Sequence, residues 1–338
     1  MFTSKLFVAI ALSAGLSCAA LPAVAKDINP PAGDWTPGDY PSTGGAPGGH
    51  DYLGITGVSG QKVNGQDLTR EYKVHIPKSY RKAVSAPLLF CFHSLDATTS
   101  MFCVRGSNTS GSGPNGSTGG FIDQSENNGF ILVMVQGYKF SWNAGACCAA
   151  AVRENLDDVA LMRAILAEVK IHLNIDIKRV YAAGFSNGAF LSDRLACEAS
   201  DMIAGIIEGS GGIELSPMSS CKPQNHVPVL AFHGTKDPLV PYASYQTSIA
   251  YWAQVNGCDS TTTAASFPNS GGDTTCVTYT GCPAGVAITG CTVDGGGHCW
   301  FGSPSCGGGF GSLGTKNFNS DTAVISEDMW PFLSQFHR

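Results

Sequence analysis

The order of elements read from this chain predicts an α/β architecture, three layers deep, around a mainly parallel sheet. Three observations carry that prediction. Short runs that are apolar almost throughout recur at 87–93, 130–135, 203–209 and 227–233. Strands covered by helices on both faces have that composition. Stretches of helical periodicity alternate with these runs, most plainly at 156–173, where Val159, Met162, Ile165, Leu166 and Val169 fall on one face. The length, 338 residues, suits one large domain, and neither an internal repeat nor a second domain is visible.

Residues 1–25 combine a lone Lys5, an apolar run over 6–16 and a terminal Ala23-Val24-Ala25. A basic end, a hydrophobic centre and an A-x-A site read as a secretory signal peptide. The apolar run is too short to span a bilayer, and no later stretch is long enough. Residues 26–338 are therefore read as one folded domain of a secreted, extracellular protein, expected to be a monomer. The net charge of −6 and the lack of any basic cluster exclude nucleic acid and anionic membranes as partners. Only 14% of residues are charged while glycine reaches 42, the balance of a loop-rich secreted chain.

Thirteen cysteines are present, and removing Cys18 with the signal leaves an even number. In an oxidising compartment these pair as disulfides. The sequence does not fix the pairing; the expected bridges are Cys197–Cys221, linking the post-elbow helix to the next loop, Cys103 with Cys147 or Cys148, and pairing within the late group Cys258, Cys276, Cys282, Cys291, Cys299 and Cys306. A zinc site built from Cys291, His298, Cys299 and Cys306 is the rival reading; its spacing matches no common zinc pattern. No metal and no cofactor is expected.

Along the chain, the Pro- and Gly-rich segment 26–49 reads as an irregular arm. Residues 68–77 alternate polar and apolar, predicting an exposed antiparallel strand with a hairpin partner at 52–58. A Gly/Ser-rich insertion runs over about 105–120, with sequons at Asn108 and Asn115 that predict glycosylation in a host that performs it. A helix is expected from Phe121 to Asn127, and the helix at 156–173 carries Asp157 and Asp158 in its first turn, where negative charge suits the dipole. Further on, 243–255 predicts a helix, 286–293 a strand and 321–336 a closing helix.

The stretch that points to chemistry is 179–190. An apolar strand leads into Gly184-Phe185-Ser186-Asn187-Gly188 and then an amphipathic helix. This is the pattern of a nucleophile elbow, in which a serine sits exposed on a strained strand-to-helix turn. A serine hydroxyl needs a base, and the base needs an orienting carboxylate. Asp237 follows the buried strand ending at His233, in a tight Asp-Pro loop; Asp201 and Asp294 compete with it less well. Among eight histidines, only His298 follows Asp237 in a loop beyond a strand, within Gly295-Gly296-Gly297-His298-Cys299-Trp300. The oxyanion hole is assigned to the backbone N–H of Asn187 and to that of Leu95, with Ser94 as the second choice. Trp142 and Trp300 sit in motif loops and are assigned to the substrate cleft, with packing anchors as the alternative.

Five segments together, Ser141–Cys148, Asn155–Val159, Gly184–Gly188, Phe232–Asp237 and Gly295–Trp300, resemble the secreted feruloyl esterase and polyhydroxybutyrate depolymerase-like proteins of carbohydrate esterase family one, within the α/β-hydrolases. The resemblance covers about residues 70–300. It implies the α/β-hydrolase fold, the triad Ser186, Asp237 and His298, and ester hydrolysis through an acyl-enzyme. Feruloyl esters of plant cell-wall polysaccharide are the first substrate class it implies, hydroxyalkanoate polyesters the second, acetylated xylan the third. A serine peptidase on the same fold and a non-catalytic binding protein are the rival classes. The chain departs from the family in having His93-Ser94 where His-Gly is usual, and Cys299-Trp300-Phe301-Gly302 where Trp-Pro-Gly follows the histidine. The second departure points to an extra bridge, Cys299–Cys306.

Overall fold

The computed structural model describes residues 50–104, 120–303 and 323–338. The residues read as a signal peptide (1–25) and as an arm (26–49), both sequons, Cys306 and all of the Gly/Ser-rich stretch but Gly120 lie outside the described residues.

Ten strands form one sheet: β1 (His50–Val63), β2 (Gln66–Ile76), β3 (Ala86–Phe92), β4 (Ile131–Val135), β5 (Ile175–Phe185), β6 (Ile206–Gly209), β7 (Val229–Gly234), β8 (Thr262–Ala265), β9 (Thr274–Tyr279) and β10 (Ile288–Val293). Their order is β1-β2-β4-β3-β5-β6-β7-β10-β9-β8. From β4 to β10 every neighbouring pair is parallel, while β1, β2, β9 and β8 run antiparallel at the two edges. Among the described residues the α-helices are α1 (Phe121–Asn128), α2 (Ala149–Arg153), α3 (Asp158–His172), α4 (Asn187–Glu198), α5 (Tyr242–Val255) and α6 (Ile325–Leu333).

The near-continuous apolar composition of β3 follows from its central place. Leu88, Phe90 and Phe92 enter one core with α3, α4 and α5, while Leu89 and Cys91 enter the other with α1 and α6. Successive side chains of a strand face opposite sides, so both sides must be apolar. The three-layer reading therefore holds. Two of its details do not. The strand read at 68–77 is not exposed: β1 covers its outer side, and Arg70, Tyr72, Val74 and Ile76 are buried. The edge pair β8 and β9 was missed, because Thr262-Thr263-Ala264-Ala265 is nearly all exposed and carries no apolar alternation. Asp157 caps α3, its side chain accepting from the Ala160 N–H at 2.8 Å.

Among the described residues, disulfides join Cys91–Cys103, Cys147–Cys148, Cys197–Cys221, Cys258–Cys282 and Cys276–Cys291. The expected Cys197–Cys221 bridge and the pairing within the late group are present. Cys103 instead takes Cys91, the inward-facing residue of β3 beside it, and Cys147 and Cys148 bond each other. Cys299 is also disulfide-bonded, so with Cys291 it is lost to the alternative zinc set.

Cys197–Cys221 ties the end of α4 to the loop before β7 across 24 residues. Replacing both cysteines by serine is expected to lower the unfolding free energy by about 3 kcal/mol. A denaturant melt checks this, and an unchanged midpoint would contradict it.

Candidate active site

Because β3, β5, β7 and β10 are parallel, the loops that follow them open on one edge of the sheet. Leu95 follows β3, Ser186 follows β5, Asp237 follows β7 and His298 follows β10. Ligand sites of open parallel sheets lie at this carboxyl edge.

Ser186 stands between the last residue of β5 and the first of α4, with φ 54° and ψ −119°. A left-handed φ is uncommon outside glycine and marks stored strain. Its neighbours explain how the strain is held. A Cβ on Gly184 would strike the Gly188 carbonyl, and one on Gly188 would strike the carbonyls of Phe92 and His93. The turn thus packs backbone against backbone beside the loop after β3, and only glycine fits at both positions. The Ser186 N–H donates to the Gly209 carbonyl at 2.9 Å, fixing the turn to β6 as well. Asn187 begins the helix, and N–H groups of a first turn have no partner within the helix.

The loops carrying Asp237 and His298 meet in the same manner. A Cβ on Gly234 would collide with the carbonyls of Gly296 and Gly297. The Lys236 N–H donates to Gly296 O at 2.8 Å, and Thr235 Oγ1 accepts from the Gly295 N–H at 2.8 Å. So clamped, His298 Nδ1 lies 2.8 Å from Asp237 Oδ2. The Asp237 side chain is fully buried, and its Oδ1 accepts the N–H groups of Leu239 and Val240 at 2.8 and 2.9 Å. Burial pushes this carboxyl up, but His298 and the two N–H donors outweigh it and hold the group below its ordinary range. The His298 side chain keeps 11% of its surface exposed, and its ring lies 4.9 Å from that of Phe185, next to Ser186. His233 is sealed behind them. Its Nε2 donates to Val240 O at 2.9 Å, its ring stacks on Tyr245 at 5.0 Å, and burial lowers its pKa, which keeps it neutral.

On the other side of Ser186, the loop after β3 is fixed by His93. Burial depresses this imidazole to about 4, so it is neutral. Its Nε2 accepts the Gly137 N–H at 2.9 Å, which leaves Nδ1 to donate to Ser94 O at 2.7 Å. Leu95 and Ser94 both remain partly exposed here. The Asn187 side chain also has a structural partner. It accepts from the Trp142 N–H at 2.8 Å and donates to Trp142 O at 3.2 Å. Beneath Trp142, Asp158 takes the Asn143 N–H at 2.7 Å and Arg70 Nη1 at 3.2 Å, while the Arg70 guanidinium lies 5.6 Å over the Trp142 ring. Burial pushes Asp158 up and Arg70 down against their mutual attraction. Such a pair fixes geometry more than it adds stability. Sequence reasoning missed His93, Arg70 and the role of Asp158; the one available signal was the pairing of the Trp142 and Asp158 motifs.

The assignment of Trp142 and Trp300 to a substrate cleft is corrected. Their exposures are 0% and 1%. Trp142 Nε1 donates to His93 O at 2.9 Å and its ring meets Phe92 at 5.3 Å. Trp300 packs against Phe102 and Phe121 at 5.2 and 5.3 Å. Both are packing anchors under the loops they belong to.

A buried acidic pair lies behind the elbow. Asp193 on α4 accepts the Trp252 indole N–H at 2.7 Å, and Glu208 precedes the Gly209 that holds the Ser186 N–H. Burial pushes Asp193 up to about 7, and burial together with the Asp193 charge pushes Glu208 well above its ordinary range.

A model of the Phospholipase/Carboxylesterase family matches residues 151–273. Feruloyl esterase B of Piromyces equi is 30% identical over 250 residues, which cover 68% of this chain and 42% of that protein, so the chain spans less than half of this relative. Feruloyl esterase D of Neurospora crassa is 28% identical over 290 residues, 81% of this chain and 87% of the relative. Among solved structures, an acetyl xylan esterase from Aspergillus awamori superposes with a TM-score of 0.53 at 14% identity, covering 73% of this chain and 93% of its own. A ferulic acid esterase from Anaeromyces mucronatus gives 0.52 at 12%, covering 85% and 90%. With the sheet order and the Ser186 elbow, these matches make the chain an α/β-hydrolase. Within that class the two sequence relatives named above are feruloyl esterases.

The acidic pair generates a prediction. Both carboxyls bind protons more tightly in the fold than in the unfolded chain, so stability falls as pH rises from about 4, the ordinary carboxylate range, towards about 7. Glu208→Gln is expected to lose less Tm than the parent between about pH 5 and about pH 8. Parallel melting profiles of the two proteins would count against this.

Proposed function

We propose that the protein is a secreted serine carboxylic ester hydrolase that releases hydroxycinnamic acids such as ferulate from plant cell-wall polysaccharide, through an acyl-enzyme on Ser186. The single observation that carries the reading is the 2.8 Å contact of His298 Nδ1 with buried, ionised Asp237, on loops opening at the same sheet edge as the Ser186 elbow. The choice of ester rests on the feruloyl esterase relatives. Secretion rests on the signal-like residues 1–25 and on the disulfides.

In this mechanism Asp237 accepts the Nδ1–H of His298, which leaves Nε2 as the basic nitrogen. Ser186 Oγ attacks the ester carbonyl carbon while its proton passes to Nε2. The carbonyl oxygen becomes an oxyanion held by the N–H groups of Asn187 and Leu95, each donor contributing about 10²–10³ in rate. Collapse of the intermediate breaks the bond to the alcohol oxygen, which takes the proton from Nε2. A water molecule then gives a proton to Nε2 and attacks the acyl carbon; the bond from that carbon to Ser186 Oγ breaks, Oγ takes the proton back from Nε2, and the acid leaves. The polar frame around His93, Trp142 and Asn187 keeps the donors in place before substrate arrives, so no reorganisation is needed as charge develops.

Two measurements test the reading. Ser186→Ala is expected to lose at least about a thousandfold in kcat on both p-nitrophenyl acetate and methyl ferulate, along with fluorophosphonate labelling; retained turnover or labelling would overturn it. Asp237→Asn is expected to lower kcat about 10⁴-fold with little change in KM, because the imidazole then loses its tautomer-fixing partner. Comparison of kcat/KM across methyl ferulate, acetylated xylan and a soluble hydroxybutyrate oligomer decides the acyl class.

A further inference from the structure

Among the described residues, the large hydrophobic side chains left exposed are Ile55, Val84, Phe140, Ile171, Ile177 and Leu239. Two of them stand on loops at the carboxyl edge of the parallel strands. Phe140, 43% exposed, follows β4, and Leu239, 47% exposed, follows β7. Phe140 is the only aromatic of the six. Isolated exposed apolar residues are ordinary; the placement and backbone of this one are not.

The sheet order β4-β3-β5-β6-β7-β10 puts the Phe140 loop two strands from Ser186 on one side and the Leu239 loop two strands away on the other. At roughly 4.8 Å per strand, β4 and β7 each lie about 10 Å from β5, which ends at the nucleophile. His298 follows β10, on the Leu239 side. The leaving alcohol takes its proton from His298, so the alcohol lies on that side. The acyl group is left the opposite side, past Leu95 and towards Phe140.

The Phe140 backbone is held in an unusual conformation. Lys139 and Phe140 have φ of 45° and 62°, so both central residues of the turn between Tyr138 and Ser141 are left-handed. That geometry normally calls for Asn-Gly, and a lysine and a phenylalanine adopt it under strain. The surrounding bonds enforce it. Phe140 O accepts the Asp96 N–H at 3.0 Å, and the Phe140 N–H donates to Gly137 O at 3.2 Å. Ser141 donates to Tyr138 O from both its N–H and its hydroxyl. Asp96 adjoins Leu95, and Trp142, two residues beyond Phe140, is bonded to Asn187. The turn is thus fastened beside both proposed oxyanion donors.

We propose that Phe140 is the acyl-side platform of the site, stacking the aromatic ring of a hydroxycinnamoyl group while the ester carbonyl lies at Ser186. This rests on the ester-hydrolase reading and deepens it. An acetyl group does not span about 10 Å, so only a long or aromatic acyl group reaches the ring. The test compares parent, Phe140→Ala and Phe140→Trp on methyl ferulate and p-nitrophenyl acetate. Phe140→Ala is expected to lower kcat/KM for methyl ferulate about fivefold to tenfold, through KM and with kcat little changed. The ratio of methyl ferulate to p-nitrophenyl acetate turnover falls with it, and Phe140→Trp restores that ratio. If Phe140→Ala keeps the ratio of the parent, or lowers both activities and Tm together, the platform is overturned while the esterase stands. If the parent cleaves p-nitrophenyl acetate but no aromatic ester, the feruloyl reading and the platform fall together. Loss of neither activity in Ser186→Ala removes the ester-hydrolase reading beneath both.

Discussion

The structure depends on a close passage of backbone past backbone. The turn at Ser186 runs so near the carbonyls of Phe92 and His93 that a methyl group at Gly188 has no room, and a second such passage joins Gly234 to the Gly296 and Gly297 carbonyls. Each passage brings together two loops that belong to different strands. The first sets the serine beside the loop carrying Leu95; the second sets Asp237 against His298. Side-chain contacts flex by rotamer changes, whereas peptide units in contact move only with their strands. The parallel sheet therefore acts as the ruler, and the glycines transmit its spacing to the site without slack.

Around these passages sits a buried polar frame. His93, Asp158, Arg70, Asp193 and Glu208 are all buried, and each is bonded to a segment that flanks the elbow or held beside one. Buried polar groups are costly unless partnered, which makes them poor sources of stability but sharp determinants of geometry. Their position one layer below the candidate residues is consistent with that role. The Asn187 side chain grips Trp142 on both its N–H and its carbonyl, and Trp142 in turn holds the His93 carbonyl through its indole. One chain of bonds thus links the helix behind the serine to the loop opposite it.

What the sequence made readable follows from what periodicity and glycine report. Strands apolar on both faces could only belong to a covered parallel sheet, and β3, β5 and β7 were placed within a few residues. The two glycines around Ser186 and the three before His298 marked close approach, so the elbow and its partner loops were visible in order. Three things were not. Arg70 alternates with apolar residues on β2 as any surface arginine does; only the fold shows that it turns inward to Asp158. The weak strands β8 and β9 gain their pairing from β10, not from their own composition. Trp142 and Trp300 were read by residue type, and the type is ambiguous: a large ring with one polar atom serves equally as a platform or as a sealed anchor. Cys103 was given the wrong partner because spacing along the chain does not reveal that β3 turns Cys91 towards it.

The contrast between the buried tryptophans and exposed Phe140 explains why reaction type was easier to read than substrate. The reaction requires donors, base and nucleophile in one fixed arrangement, and fixing them demands glycines, capped helices and buried partners that leave traces in sequence. Recognition of an acyl group requires only that some apolar surface stand at the right distance. Many side chains on many loops meet that demand, so composition does not single one out. The marker at Phe140 is conformational: two consecutive left-handed residues without glycine, tied down on both sides. Strain of this kind persists only where surrounding bonds over-determine it. It is visible in a structure and silent in a sequence, which is why the proposed acyl-side contact had to wait for the fold.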